Sequence, residues 1–380
     1  ITMNKFLITL ATLVAFALSG VAHADAKVSG FLQQIIGAGD DVDGGITYKF
    51  NRVAFGADTT LDNGWTAGGS FAAEVGNWAA GGQSAYLPTS NSMYVATDAM
   101  TITIGGAADA VTSAVPRIGN MVPGGGHDAG YQFLFDAGLL GSNGVSFAEA
   151  YYAQANNRVD VDFASVNGFS VGLTYTPSME FNTGSGIARA QAETTASHGE
   201  TVHAAVGYSG EMDGMSYSIG VGTINGNSQS QSAGSAAAVT NNDLAAFAAG
   251  IKVTMGNLAM GVHAYDNGDS FGASTDAVKA KDSGYTVSAT YAMGNITLGV
   301  GYAHQELVRG TRAQAAATTL TSADAGNVRE DTVTMIGIGY NMGGGVNTYV
   351  QLSSNDHSDG DHATTEVDPQ VLFAGISLGF

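Results

Sequence analysis

Apolar residues recur at every second position over most of the chain. Phe169, Val171, Leu173 and Tyr175 share one face, with Ser170, Gly172 and Thr174 between them. Val202, Ala204, Val206 and Tyr208 alternate with His203, Ala205 and Gly207, and Ile296, Leu298, Val300 and Tyr302 alternate with Thr297, Gly299 and Gly301. This period of two predicts strands with one apolar face. The opposite face is mostly Gly, Ala, Ser and Thr, with few charges. Helical periodicity is nearly absent after residue 25.

Short turns divide these strands into pairs. They fall at Asp62-Asn63-Gly64, Asp98-Ala99, Asn167-Gly168, Glu211-Met212-Asp213-Gly214, Met255-Gly256-Asn257, Met293-Gly294-Asn295 and Met342-Gly343-Gly344-Gly345. Asn-Gly and Asp-Gly supply the positive φ that tight hairpins need. Seven hairpins, one strand before them (28–36) and one after them (371–380) predict sixteen strands, within a range of 14–18. The other connections are long and polar: roughly 37–45, 76–91, 106–156, 177–200, 224–243, 266–284, 305–331 and 354–369. Long loops therefore gather at one end and short turns at the other. An all-β transmembrane antiparallel barrel has this layout, with short periplasmic turns, long external loops, apolar residues toward lipid and polar residues toward the lumen. A strand protein in lipid must close on itself to pair its backbone.

The first 24 residues break the pattern. Met3-Asn4-Lys5 begins a positive start, residues 6–18 are an apolar run, and Ala22-His23-Ala24 is an A-x-A cleavage site. This predicts a secretory signal peptide over 1–24, with Ile1 and Thr2 preceding the expected start, and a mature barrel over 25–380. The apolar run is shorter than the ~20 residues of a membrane-spanning helix.

Composition agrees with a membrane barrel. Charged residues are 12% of the chain, about half the ~25% of soluble domains. Glycine supplies 54 of 380 positions and proline only 5, and strand ladders need N–H donors that proline lacks. There is no cysteine, which excludes disulfide scaffolds, thiolate metal sites and cysteine nucleophiles. The balance of 33 acidic against 13 basic residues gives −20, which argues against nucleic acid as a partner. Loss of residues 1–24 removes Lys5 and no carboxylate, so the mature chain carries 33 acidic against 12 basic residues, or −21.

The last strand alternates through Leu372, Ala374, Ile376, Leu378 and Phe380, and the chain stops on Phe. Together with the signal peptide, this ending resembles outer-membrane barrels of Gram-negative bacteria. The stretch Asn51-Arg52-Val53-Ala54-Phe55-Gly56 is followed by Asp62-Asn63-Gly64-Trp65 and a strand ending at Glu74. It is similar to strands two and three of general diffusion porins, above all the alphaproteobacterial type. Met93-Tyr94-Val95 and Ile102-Thr103-Ile104-Gly105-Gly106 continue the pattern before the longest loop.

The resemblance implies a homotrimer in the cell outer membrane. It implies contact with outer-membrane lipid and lipopolysaccharide, and a terminal signal (Phe380, Leu378, Ile376) read by the barrel-assembly machinery. It implies a third loop, here 106–156, folded into the lumen to narrow it, and passage of ions and small hydrophilic solutes.

A pore selects by its diameter and by its rings of charge. The loop contributes Asp109, Arg117, Asp128, Asp136 and Glu149. On the strands, alternation turns Arg52 and Arg158 inward, and with them Asp160, Asp162 and Lys252. The expected constriction sets Arg52 and Arg158 against Asp128 and Asp136, with fewer wall cations than the family pattern. The excess of acid predicts mild cation selectivity.

No cofactor is expected. Asp40-Asp41-Val42-Asp43 and His357 to His362 offer weak divalent-cation ligands on external loops, without a complete calcium-loop spacing. Gly220-Val221-Gly222 lacks the third glycine and following helix of a dinucleotide fingerprint. No Ser/His/acid set has plausible strand spacing, so the chain reads as a channel and not an enzyme. The alternatives are a substrate-specific channel and a structural or adhesive barrel with a blocked lumen.

Overall fold

The computed structural model describes residues 25–40, 42–47, 50–76, 85–106, 108–124, 158–178, 198–228, 230–231, 239–240, 242–270, 281–308, 328–359 and 370–380. The expected signal peptide lies outside them. Sixteen antiparallel strands form one closed barrel. They are β1 (Asp25–Gly39), β2 (Val42–Thr47 with Phe50–Thr60), β3 (Thr66–Gly76), β4 (Ala85–Ala96), β5 (Met100–Gly105), β6 (Arg158–Val166), β7 (Phe169–Ser178) and β8 (His198–Met212). The ring continues with β9 (Met215–Ser228), β10 (Leu244–Met255), β11 (Leu258–Gly268), β12 (Lys281–Met293), β13 (Ile296–Val308), β14 (Val328–Gly343), β15 (Val346–Asp359) and β16 (Gln370–Gly379). Each strand pairs with its sequence neighbour. The seam closes where β1 meets β16, from Phe31↔Gly379 to Gly39↔Val371.

All seven predicted turns join strands. Asn167-Gly168 and Asp213-Gly214 both hold φ between 51° and 86° at their two central positions, which matches the right-handed twist of the flanking strands. The strands run further into the long-loop side than alternation of apolar residues shows. Within the connection expected over 37–45, the first strand runs to Gly39 and the second begins at Val42, and β9 continues to Ser228. Strand pairing needs backbone groups only, so polar residues beyond the lipid band extend the ladders. No helix among the described residues is long and apolar enough to cross a membrane, and the crossing is made by strands.

Alternation sorts the side chains as expected. Val171, Leu173, Tyr175, Val202, Val206, Ile219, Val221, Leu298 and Val300 are exposed on the outer face, and Phe55 stacks on Phe71 there with ring centroids 5.0 Å apart. Trp65, Phe169, Tyr291, Tyr340 and Phe380 are exposed beside the short turns or the chain end, where outer-membrane barrels carry an aromatic girdle. The inner face carries Thr174, Thr176, Thr201, His203, His263, Gln351 and Ser353, all buried.

Candidate pore constriction

Two short helical turns follow β5: α1 (Ala110–Ala114) and a 3₁₀ turn (Gly119–Met121). Between and beside them, Val111, Val115, Ile118 and Val122 are buried, spaced four, three and four residues apart. Val111 and Val115 pack with Ala205, Ile224, Leu244, Ala246 and Ala248 of β8, β9 and β10. Val122 packs with Ala303, Val333 and Met335 of β13 and β14. The segment therefore moves across the sheet strand by strand, starting at Gly172 on β7 beside Ala110 and ending at Gln351 on β15 beside Gly124.

Its length shows which side of the wall it follows. Eight strand spacings of a tilted barrel wall amount to about 50 Å of arc. From residue 110 to 124, with five residues in helix, the chain spans about 40 Å at most. The segment cuts inside the arc, on the face opposite the exposed apolar residues.

The root of this segment is a buried polar cluster. Asp109 caps α1: its Oδ1 accepts from the backbone N–H of Val111 at 2.9 Å and of Thr112 at 3.1 Å, and its Oδ2 accepts from the Thr112 hydroxyl at 2.7 Å. An N-cap carboxylate satisfies donors that the helix cannot pair internally. His203 Nδ1 lies 3.3 Å from Asp109 Oδ1. Arg158 Nη1 lies 3.9 Å from Asp109 Oδ2, and Arg158 Nε lies 3.5 Å from Asp160 Oδ2. The Thr174 hydroxyl donates to Asp160 at 2.6 Å and accepts from the Ala110 N–H at 2.8 Å. Burial opposes ionisation of Asp109, but the His203 imidazole and the Thr112 donors outweigh it and hold the carboxyl well below the usual carboxylate range. Loop, β6, β7 and β8 are thus tied at one point.

The sequence-predicted residues divide between this root and the open wall. Asp109, Arg158 and Asp160 come together and are buried. Asp162 lies two residues along the same inner face of β6. Arg52 stands on the inner face of β2, between Phe31 of β1 and Glu74 of β3 in register. Lys252 stands on the inner face of β10, paired in register with Ser218 and Gly261. It borders an open depression toward the short-turn end, with Ser209, Glu211, Ser216, Ser218 and Thr254. Arg117 is half-buried between Pro116 and Ile118. Asp128, Asp136, Glu149, Asp41 and His362 lie outside the described residues. Among the described residues no cluster of His, Asp or Glu could hold a metal ion.

His203 was legible as inward-facing and not as part of the loop root. Its signal is the only imidazole on the inner register of β8 between Thr201 and Ala205. The spacing of Val111, Val115, Ile118 and Val122 is the local signal for a segment packed along one side.

A family model described as Gram-negative porin matches residues 9–360. No curated protein sequence matches the chain. Among solved structures, an anion-selective porin from Comamonas acidovorans is similar at TM-score 0.60 and 14% identity, covering 94% of this chain and 100% of that one. The outer-membrane protein OmpT of Vibrio cholerae, in a trimer form, is similar at TM-score 0.60 and 12% identity, covering 94% and 99%. A mutant of the Rh. blastica porin is similar at TM-score 0.54 and 17% identity, covering 94% and 100%. At these identities the likeness shows the fold. The family match, spanning most of a closed barrel with an apolar outside and a polar inside, places this chain in the Gram-negative porin family.

Proposed function

We propose that the protein is a passive diffusion channel of the outer membrane, admitting ions and small hydrophilic solutes with a mild preference for cations. The carrying observation is the crossing segment of residues 108–124, set against the inner wall of a closed, polar-lined barrel. It occupies part of the lumen cross-section, as a constriction does. A homotrimer is in keeping with the trimer form of one structural neighbour, and the export route proposed is cleavage after Ala24.

The preference for cations rests on the inner face. Asp58, Asp160, Asp162, Glu211, Asp282 and Asp331 stand there by alternation, against Lys27, Arg52, Arg158 and Lys252. Lys27 is matched by Asp58 at 2.9 Å, and Arg158 by Asp160 and Asp109. Arg52 and Lys252 stand on the inner wall away from the loop root, and they are the cations proposed to face permeating ions.

The test is the reversal potential of single channels in planar bilayers across a salt gradient. We expect cation selectivity at low salt that weakens as salt rises, because exposed charge is screened over about 10 Å at 0.1 M. Anion selectivity would sink the charge argument. Conductance linear in solute, without saturation, separates simple diffusion from a substrate-specific channel, and absence of any conductance would favour a blocked barrel.

A second measurement assigns the wall cations. Arg52→Ala and Lys252→Ala should each move the reversal potential further toward the cation limit, and together by more. Arg158→Ala should change current noise before it changes selectivity, because its charge is spent on buried carboxylates.

A further inference from the structure

We propose that glycines on the inner wall, in the path of residues 110–123, set the bore of this channel. They let the crossing segment sink into the wall by the depth of a side chain. This proposal rests on the channel reading above.

The observation is a series of close approaches on five strands along the path of the segment. A Cβ built on Gly172 would lie 3.0 Å from the Cβ of Ala110, and one on Gly222 would lie 2.8 Å from a methyl of Val111. One on Gly250 would lie 2.6 Å from the carbonyl oxygen of Pro116. One on Gly299 would lie 2.5 Å from Cδ of Pro123, and one on Gly339 would lie 3.0 Å from its Cβ. These glycines belong to β7, β9, β10, β13 and β14, so the track follows the segment from its root almost to its described end.

Glycine inside a strand costs roughly 0.5–1 kcal/mol relative to alanine and supplies nothing to pack. A row of them on one face of neighbouring strands therefore needs a compensating contact, and the crossing segment is that contact. Other inner-wall glycines meet the wall itself and not the segment: a Cβ on Gly68 would lie 2.7 Å from the ring of Tyr94, and one on Gly284 would lie 2.8 Å from the ring of Tyr265. A Cβ on Gly56 of β2 would find its nearest neighbour at 3.7 Å, a carbonyl oxygen of the wall itself.

Pore diameter is the first determinant of what a channel passes. Carbon–carbon contacts settle near 3.5–4.0 Å, so an added Cβ at Gly299, 2.5 Å from Cδ of Pro123, moves the segment toward the axis by about 1 Å. The wall glycines are thus specificity-determining residues for solute size, although none of them needs to touch a solute.

Three sets of variants test this. Gly250→Ala with Gly299→Ala should lower single-channel conductance by roughly a fifth and exclude neutral sugars of a smaller size in liposome swelling. Gly56→Ala should leave both unchanged. Gly299→Ala combined with Pro123→Ala removes the ring carbon that the new methyl meets, and should recover conductance relative to Gly299→Ala alone. That compensated pair also serves if the double alanine wall variant fails to fold. Equal or higher conductance in folded Gly250→Ala/Gly299→Ala protein overturns the proposal, as does no recovery in the compensated pair.

The seat itself is tested without any current. The chain has no cysteine, and a Cβ on Gly250 would lie 3.2 Å from Cγ1 of Val115, close enough for a disulfide between cysteines at the two positions. Val115→Cys/Gly250→Cys should cross-link under mild oxidant in the folded barrel. A folded, conducting protein that does not cross-link overturns the seat. A cross-linked barrel whose wild type never conducts overturns the channel reading and leaves the seat standing.

Discussion

Asp109→Ala is expected to release the root of the crossing segment and to turn a quiet channel into a noisy one. Two losses add. Removing an N-cap costs about 0.5–2 kcal/mol. Breaking a buried ion pair outright costs about 3–5 kcal/mol, but Arg158 keeps Asp160 at 3.5 Å when its 3.9 Å contact to Asp109 goes, so only part of that cost applies. Arg158 and His203 are both buried beside Asp109, so both feel the loss. A total of about 3 kcal/mol corresponds to roughly a hundredfold in a local opening equilibrium. Amide exchange over 110–118 should accelerate by that order, while amides of β10 to β13 stay protected. Asp109→Asn keeps an oxygen for the cap and loses the charge, so it should fall between wild type and Asp109→Ala. Asp109→Ala with Arg158→Ala should cost less than the two single losses together, because both residues belong to one buried network and share a contact. Exchange unchanged in Asp109→Ala would remove this cluster as the anchor.

The same cluster fixes the pH range of the anchor. The Asp109 carboxyl is held below its ordinary value in the folded protein. Its contribution is therefore fully present above the unfolded value near 3.9 and is lost only as pH falls through the lower folded value. The root should stay seated in mild acid and release in strong acid, and Asp109→Asn should remove that dependence.

These features were unequally visible in the sequence. Alternation assigns each strand residue to a face, so Arg52, Arg158, Asp160 and Lys252 could be turned inward without coordinates. The Asn-Gly and Asp-Gly pairs place hairpins because few residues tolerate positive φ at both central positions. Alternation does not say which inward residue meets which loop residue. Asp109 and Arg158 are 49 positions apart, and their contact depends on how residues 110–124 cross the barrel. Alternation turns Arg158 inward, and only the contact with Asp109 places it at the loop root. The wall glycines were legible as small lumen residues, and only the path of the segment shows what their smallness accommodates. Chain-end chemistry is different again. It is local, and it survives reading without a fold.

The chain end carries the second large expected effect. Phe380 continues the closing seam by exchanging backbone bonds with Gly30: its N–H donates to Gly30 O at 3.1 Å, and the Gly30 N–H donates to Phe380 O at 2.7 Å. Its ring lies over Gly30, where a Cβ would come within 2.8 Å of a ring carbon. The seam closes the barrel, and backbone groups left open in lipid cost several kcal/mol each. Deletion of Phe380 removes both bonds and the ring. It should cut the folded fraction severalfold both in cells and on refolding into liposomes, read by the heat-dependent gel shift of folded barrels. Phe380→Ala keeps the bonds and removes the ring. If the ring is chiefly a signal for assembly, as the porin resemblance implies for Phe380 with Leu378 and Ile376, this variant should refold into liposomes almost as wild type does and still be scarce in the outer membrane. Gly30→Val displaces the ring while leaving Phe380 in the chain, so it should impair refolding more than Phe380→Ala does. Equal losses for Phe380→Ala in liposomes and in cells would assign the ring to seam packing and remove its role as a signal.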